Sequence, residues 1–400
     1  MEHNNSSPNI KGVIMLILFL LILALGVGFS VKNLPAIVKA TSGQMLQTVH
    51  GESSISEFPS AFESFYNSLY ANKPWSLDAF SFTQSILGKQ ESRNFEVLKS
   101  NNGALYLRGN ESAIDTERLQ IIADEYEMLY AETLKYGGRF LYVRAPFKNV
   151  GQAPDLAQYS LDTTTQAELY LKQLLLEKNI PVLDLGDYSQ CMQYYKTDHH
   201  WTVEAAFHAS ALITEELEQL YGLTFPNREY YGNIENYTPV TYKNCFLGSI
   251  GIKVGPHFGG KDDFTVWNPT FETEFDFTHY IKAQEYNYSG PFWETFINEN
   301  LLENPMYYNK YDANLQGAYM ESIIYNSKAQ TDYTGLLISH SYARPLVPYM
   351  ALNYQQLRYL DPQEGRYNEN YLDYIREYKP EVVVVMYDGP INVGDGNWTE

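Results

Sequence analysis

Residues 195–202 read Tyr-Lys-Thr-Asp-His-His-Trp-Thr and stand just before a helix signal. Asp198 lies two positions before His200, and in an extended segment such side chains point to the same side. The carboxylate can therefore hold the imidazole from behind, and an oriented imidazole can act as a general base. This stretch contains no nucleophile of its own, and the downstream candidate is Ser341.

The sequence on both sides alternates between strand and helix patterns. Buried or short strands are predicted at 103–107, 139–143, 181–185, 334–339 and 381–386. Apolar residues recur at helical spacing within 117–136, within 165–178 and after Thr202, which is a good N-cap. This alternation predicts an α/β domain with a parallel sheet covered by helices on both faces.

Two later regions complete the predicted domain. Residues 223–310 are rich in Tyr, Asn, Gly and Pro, which indicates an insertion of loops and short strands over the sheet. Ser341 follows a strand, and Pro345 and Pro348 suit the first turn of a helix expected to continue through Leu357. Ser341 is therefore expected at the carboxyl edge of the sheet, where ligands bind and backbone N–H groups can stabilise an oxyanion.

An apolar segment precedes the domain. Residues 12–31 contain no charge, and 20 helical residues span about 30 Å, the thickness of a bilayer core. We predict a short cytoplasmic tail at 1–11, a transmembrane anchor at 12–31, a stalk at 32–89 and an extracytoplasmic domain at 90–400. The competing interpretation is a cleaved signal peptide, because residues 38–40 (Val-Lys-Ala) resemble a cleavage site, although that site lies well beyond the apolar run.

Composition narrows the classes of partner. A formal net charge of −20 over 400 residues argues against binding to nucleic acid or to an anionic membrane surface. The two cysteines, Cys191 and Cys245, permit one disulfide and exclude a thiolate metal cluster. An extracytoplasmic location permits their oxidation to a disulfide, and two free buried thiols are an equally open alternative.

Three interpretations of the chemistry follow from the residues. In the first, Ser341 attacks a carbonyl, His200 accepts its proton and Asp198 fixes the tautomer of the imidazole. In the second, Ser341 only caps its helix and His200 is a satisfied core residue. In the third, Asp198, His199, His200 and His257 bind a metal ion, although adjacent histidines in a strand point to opposite faces.

Four stretches carry a family resemblance. They are Thr-Asp-His-His-Trp-Thr at 197–202, Phe-Leu-Gly-Ser-Ile-Gly at 246–251, Asp-Asp-Phe at 262–264 and His-Ser-Tyr-Ala-Arg-Pro-Leu-Val-Pro-Tyr at 340–349. Together they resemble the DHHW family of bacterial surface proteins, which is similar to the SGNH-hydrolase-like domains of alginate O-acetylation proteins. The resemblance implies a three-layer α/β/α fold and a single-pass protein of the bacterial cell membrane, with the bulk of the chain outside.

The resemblance also implies a function. It predicts addition or removal of O-acetyl groups on a cell-surface polysaccharide, with a membrane-bound O-acyltransferase as the acyl supplier and no cofactor or metal. By motif position, Ser341, His200 and Asp198 match the catalytic triad of the family. Four further residues are expected to contact the substrate: Lys148, Trp201, Tyr342 and Arg344.

The sequence departs from the family pattern around the nucleophile. The usual Gly-Asp-Ser is Ser339-His340-Ser341 here, which removes one local carboxylate. The glycine and asparagine blocks that complete the oxyanion hole in ordinary SGNH hydrolases have no counterpart that we can identify. Two other functions therefore stay open: a noncatalytic polysaccharide-binding or assembly scaffold with a degenerate SGNH fold, and transfer of D-alanine to teichoic acid.

Overall fold

The structure, a computed structural model, describes residues 73–109, 113–159, 163–281, 284–317, 321–362 and 371–391. The chain divides into two compact units, Met1–Phe80 and Ser81–Glu400. The tail and the transmembrane anchor predicted at 1–31 lie outside the described residues, so both stay predictions. In the described part of the chain, none of the helices has the length and apolar character that crossing a membrane requires.

The elements are as follows. The strands are β1 Glu91–Ser92, β2 Val97–Lys99, β3 Leu105–Leu107, β4 Arg139–Arg144, β5 Val182–Asp184, β6 Tyr237–Phe246, β7 Asp262–Pro269, β8 Phe275–Ile281, β9 Gln284–Gly290, β10 Glu321–Asn326, β11 Thr334–Ser339, β12 Gln356–Leu360 and β13 Val382–Tyr387. The α-helices are α1 Lys73–Ile86, α2 Thr116–Lys135, α3 Thr163–Glu177, α4 Val203–Tyr221, α5 Arg228–Tyr231, α6 Ser249–Val254, α7 Pro256–Gly259, α8 Phe292–Phe296, α9 Glu299–Glu303, α10 Val347–Met350 and α11 Tyr371–Tyr378.

Eight strands form the central sheet in the order β5-β4-β13-β11-β12-β10-β8-β9. The first five are parallel to one another, and β10, β8 and β9 are added in antiparallel pairing. Strands β1 to β3 form a small antiparallel sheet, and β6 pairs with β7. The strand β11, which ends just before Ser341, therefore lies inside the parallel half with β13 beside it.

Helices cover both faces of the parallel half. Successive residues of a strand point to opposite faces, and the valine run of β13 is buried on both. Val383 packs in an apolar cluster with Ile122 of α2 and Leu171 of α3. Val384 packs in a second cluster with Ile213 of α4. The sheet is thus the middle layer of an α/β/α arrangement, as the alternation of patterns predicted.

The sheet differs from the prediction in being mixed. The sequence at 223–310 was expected to form an insertion over the sheet, but β8 and β9 join the sheet and extend it. The burial pattern of β8 alternates, with Phe275, Phe277 and His279 buried and the residues between them more exposed. This alternation is typical of an antiparallel strand with one solvated face, and it is what the prediction overlooked.

The region after Ser341 is the second correction. A helix was predicted to run through Leu357, but α10 ends at Met350 and Leu357 lies in β12, parallel to β11. The apolar residues of this region fit a helical spacing and a buried strand equally well over so short a run. Strand β10 was not predicted at all.

Two smaller expectations have structural outcomes. Of the two arrangements left open for Cys191 and Cys245, the structure has the free thiols, and both are partly rather than fully buried. The predicted stalk at 32–89 is described only from residue 73, where it contains the helix α1. The remaining domain boundaries stay predictions.

Candidate active site

The segment 194–202, which we call the 194–202 loop, carries the predicted orienting carboxylate, Asp198, and the predicted base, His200. It is a series of bends rather than a strand, and its ends meet because Tyr194 and Trp201 pair as an antiparallel bridge. Thr202 closes the loop and starts α4, since its side-chain oxygen accepts a hydrogen bond from a backbone N–H in the first turn. The loop is therefore fixed both to itself and to a long, buried helix.

The structure brings Asp198, His200 and Ser341 together. Asp198 Oδ1 lies 2.8 Å from His200 Nδ1, and His200 Nε2 lies 2.8 Å from Ser341 Oγ. The backbone N–H of His200 also donates to Asp198 Oδ1 at 3.0 Å. Both side-chain separations are within hydrogen-bonding range, so carboxylate, imidazole and hydroxyl are linked in that order. The bends of the loop achieve the approach that an extended segment was expected to provide.

His200 is held as a neutral base. Its ring stacks on that of Tyr311, with centroids 3.9 Å apart and an interplanar angle of 14°. The pKa of His200 is lowered to about 4, chiefly by burial and also by the neighbouring His199, while Asp198 opposes the shift. With Nδ1–H donating to Asp198, the free lone pair of the neutral ring is on Nε2, which faces the Ser341 hydroxyl.

Asp198 is buried and held by donors from helix α6. The backbone N–H of Ser249 donates to Oδ2 at 3.1 Å, and its hydroxyl donates to Oδ1 at the same distance. Burial alone would raise the pKa of Asp198, but the rings of His200 and His199 hold it well below its usual value. A Cβ on Gly248 would lie 2.3 Å from Asp198 Cβ, so only glycine fits there.

Asp262, at the start of β7, ties the loop to the two-stranded sheet. Its carboxylate accepts from the backbone N–H groups of Lys196 and Thr197, both at 2.8 Å, and from the Thr197 hydroxyl at 2.6 Å. The Thr197 hydroxyl oxygen in turn accepts from the backbone N–H of Gly248 at 2.9 Å. In the sequence, Gly248, Ser249 and Asp262 stand out only as parts of the motifs that carry the resemblance. Their contacts with the loop are visible only in the structure.

Lys148, one of the four expected substrate contacts, lies beneath the loop. Its Nζ donates to the carbonyl oxygens of Tyr195, Lys196 and Asp198 at 2.7, 3.1 and 2.8 Å. Burial lowers its pKa to about 7, while Asp198 and Asp262 oppose that shift. The side chain therefore supports the loop, and substrate contact by Lys148 stays a prediction.

The other three expected contacts are also buried. Trp201 Nε1 donates to the carbonyl oxygen of Tyr342 at 2.9 Å, and the Tyr342 hydroxyl donates to the carbonyl oxygen of His199 at 2.7 Å. Arg344 pairs with Asp312 at 2.7 Å, and only 9% of its side chain is exposed. The structure gives all three a role in joining the nucleophile turn to its surroundings, and substrate contact remains untested for them.

Ser341 lies where the sequence places it, directly after β11, at the start of a 3₁₀ turn formed by Ser341–Ala343. It is half-buried, whereas Ser339 and His340 on its amino-terminal side are buried. The N–H groups of Tyr342 and Ala343 donate to His340, so the backbone N–H of Ser341 is the candidate oxyanion donor at this turn.

The metal interpretation meets a different geometry from the one expected. The rings of His199 and His200 lie with centroids 3.8 Å apart, because the loop bends and does not place them on opposite faces. Ligand atoms of Asp198, His199 and His200 lie within 4.8 Å of one another, and His257 is not part of this group. Both ring nitrogens of His200 are already hydrogen-bonded, so an ion bound to it would have to replace one of those contacts.

Comparison with known proteins rests on structure. No protein-family model matches this sequence, and no curated protein matches it. A solved DHHW family protein from Eubacterium siraeum matches with a TM-score of 0.54 and 13% identity, over 73% of this chain and 89% of that one. The chain is structurally similar to a DHHW family protein. The resemblance predicted from the motifs is therefore confirmed for the fold.

Two further solved structures match this chain, one of them only weakly. PatB1 from Bacillus cereus, solved with a sulfonyl adduct, matches with a TM-score of 0.61 and 16% identity, over 76% of this chain and 97% of PatB1. The O-acetyltransferase domain of AlgJ from Pseudomonas putida matches with a TM-score of 0.43 and 11% identity, over 73% of this chain and 90% of that domain. The last similarity is too low to support an argument.

Proposed function

We propose that this protein is an SGNH-type O-acetyltransferase or esterase that acts on O-acetyl groups of a cell-surface polysaccharide. The observation that carries the proposal is the continuous hydrogen-bonded chain from Asp198 through His200 to Ser341. A carboxylate, a neutral imidazole and a hydroxyl in this order are the parts of an acyl-transfer nucleophile. The polysaccharide, the acyl supplier and the membrane anchor at 12–31 come from the resemblance and the sequence.

In the first half of the reaction, Ser341 Oγ attacks the carbonyl carbon of the acetyl ester while its proton passes to His200 Nε2. Negative charge develops on the carbonyl oxygen, and the backbone N–H of Ser341 itself is the candidate that stabilises it, because the N–H groups of Tyr342 and Ala343 donate to His340. Collapse of this intermediate breaks the bond to the leaving oxygen, which takes the proton from His200. The products of this half are acetyl-Ser341 and a free hydroxyl group on the donor.

In the second half, an acceptor attacks the acetyl-Ser341 carbonyl and gives its proton to His200. A sugar hydroxyl as acceptor yields an acetylated glycan, and water as acceptor yields acetate. Collapse returns the proton to Ser341 Oγ and restores the starting state. Asp198 remains ionised throughout and stabilises the imidazolium that forms twice in each cycle.

The test replaces the nucleophile. Ser341→Ala removes the attacking oxygen, so turnover of a small acetyl ester should fall on the order of 10³-fold or more. Wild-type protein treated with phenylmethylsulfonyl fluoride should gain one sulfonyl group at Ser341, measured by intact mass and peptide mapping. Ser327→Ala is the matched control, because Ser327 is an exposed serine after β10 and its loss should change neither result.

Two outcomes would redirect the proposal. Unchanged turnover in folded Ser341→Ala would rule out the mechanism, and glycan binding without any acyl-enzyme would support the scaffold alternative. An acyl-enzyme trapped from cells and identified by mass as D-alanyl rather than acetyl would support the teichoic-acid alternative.

A further inference from the structure

The turn before the nucleophile is attached to β13 at two consecutive positions. The Ser339 hydroxyl donates to the carbonyl oxygen of Met386 at 2.6 Å. The next residue, His340, places Nε2 2.5 Å from Asp388 Oδ1, directly beyond the end of β13. Asp388 lies 48 positions away in sequence, and β11 and β13 are neighbours in the sheet. The sequence Ser-His-Ser thus gains from a neighbouring strand the carboxylate that it lacks locally.

The other nitrogen of His340 faces the nucleophile turn. His340 Nδ1 accepts from the backbone N–H of Tyr342 at 3.4 Å, and His340 is the N-cap of the turn that begins at Ser341. Because Nδ1 accepts, the proton of the neutral ring is on Nε2 and is donated to Asp388. The ring therefore bridges Asp388 and the amide that immediately follows the nucleophile.

Burial makes this bridge rigid. His340 is 4% exposed, and the Asp388 side chain is 14% exposed. The backbone carbonyl oxygen of His340 accepts from the Tyr359 hydroxyl at 2.9 Å, which fixes the residue from the side of β12. A charge-assisted hydrogen bond shielded from water is stronger than an exposed one. The turn is consequently held on both neighbouring strands, β13 and β12.

We infer that His340 and Asp388 act together as a positioning pair that fixes the turn presenting Ser341. The inference rests on the proposed function, because it assigns the pair to the placement of the proposed nucleophile and of the N–H groups beside it. Neither residue takes a proton from the substrate. Their effect is to keep Ser341 Oγ at hydrogen-bonding distance from His200, a separation of 2.8 Å in the structure.

The experiment is a double-mutant cycle of His340→Ala, Asp388→Ala and the combination, assayed on a small acetyl ester. Each single variant should lower kcat about 10–100-fold with KM unchanged, since a misplaced reacting group costs rate rather than binding. The double variant should be no slower than the worse single variant, because both remove one unit. The rate at which a fluorophosphonate labels Ser341 should fall in parallel.

Two further variants separate positioning from general stability. His340→Asn keeps an acceptor near the position of Nδ1 and should recover part of the kcat that His340→Ala loses. His279→Asn is the control, because His279 is a fully buried histidine on β8 and its loss should leave kcat unchanged in folded protein. Nuclear magnetic resonance of the His340 ring nitrogens, recorded at a pH where the ring is neutral, should show the Nε2–H tautomer in wild type, independently of any activity.

The inference fails if His340→Ala keeps kcat within about twofold, or if the two single effects simply multiply in the double variant. It also fails if the ring carries its proton on Nδ1. Retained turnover in Ser341→Ala would instead mean that the proposed function is wrong. The two failures are therefore distinguishable.

Discussion

The histidines around Ser341 differ in environment, and the difference separates their roles. Burial lowers the pKa of His200, and this keeps its ring neutral and able to accept a proton. Burial acts on His340 in the same direction, but Asp388 and Asp361 together raise its pKa. The side chain of His199 is 33% exposed and is hydrogen-bonded to the Ser249 hydroxyl. The three histidines therefore differ in role: His200 is the proposed base, His340 bridges Asp388 and the nucleophile turn, and His199 is a partly exposed neighbour.

The pKa of His200 predicts the acid limit of activity. Only the neutral ring accepts the Ser341 proton, so with a pKa of about 4 the proposed reaction should continue well below the usual pKa range of histidine. kcat/KM for a small acetyl ester should be constant from neutral pH down to about pH 5 and fall to half near pH 4. The measurement is the pH profile of kcat/KM, corrected for the rate with Ser341→Ala.

Circular dichroism at each pH controls for acid unfolding in that profile. A half-maximal rate near pH 6.5, with the fold intact, would show that His200 has an ordinary environment and would contradict the structure.

Several elements cooperate to hold one short loop. The 194–202 loop is hydrogen-bonded to three other segments. Ser249 of α6 donates to the loop, Asp262 at the start of β7 accepts from it, and Lys148 donates to its backbone carbonyl oxygens. These residues come from segments that are far apart in the sequence. The two-stranded sheet and α6 belong to the region predicted as an insertion over the central sheet, and they form the framework of the site.

The close packing of α6 on the loop predicts a large effect from one methyl group. Gly248→Ala would place a Cβ 2.5 Å from Asp198 Oδ2, so α6 and the loop must move apart. We expect kcat to fall about 100-fold through misplaced Asp198 and the free energy of unfolding to fall about 1–3 kcal/mol through overpacking. Steady-state kinetics and chemical denaturation measure the two effects.

Gly389→Ala is the matched control for this variant, because an added Cβ there meets nothing within 4 Å. Equal kcat and stability for Gly248→Ala and wild type would mean that the contact between Gly248 and Asp198 is looser than the structure shows.

The sequence combines a charged, sheet-based domain with an apolar segment at 12–31. The parallel half of the sheet directs its carboxyl ends to one edge, where β11 delivers Ser341 and the segment after β13 delivers Asp388. The formal net charge of −20 disfavours adsorption to anionic lipid, so a membrane location requires the apolar segment. Attachment through residues 12–31 therefore stays a prediction from the sequence.

An anchor at 12–31 predicts the behaviour of the chain in cell fractions. The full chain should sediment with membranes and resist washing with high salt, because a helix of 20 apolar residues inserts into the bilayer. A chain that begins at residue 32 and is fused to a cleavable export signal should appear in the soluble extracytoplasmic fraction. Immunoblots of the fractions measure the distribution, and a known integral membrane protein serves as the control.

If cells expressing the full sequence instead yield a soluble protein whose amino terminus lies after residue 40, a signal peptide has been cleaved and the anchor prediction is wrong.

Much of the parallel half was predictable from short windows of sequence. Strands β4, β11 and β13 are apolar runs bounded by turn residues, and α4 begins at the N-cap Thr202 with an apolar stripe after it. The approach of Asp198 to His200 spans two residues and was predictable for the same reason. Local spacing, capping and hydrophobic period act over a few residues and are therefore readable directly.

The contacts between distant segments were decided by the order and register of strands. Ser341 meets His200 across 141 positions, and His340 meets Asp388 only because β13 inserts between β4 and β11. The antiparallel half of the sheet and the burial of Lys148 likewise depend on contacts between segments that are far apart in the sequence. Local pattern sets which segments become strands and helices, but their neighbours depend on how the whole apolar surface is buried, and a short window does not contain that information.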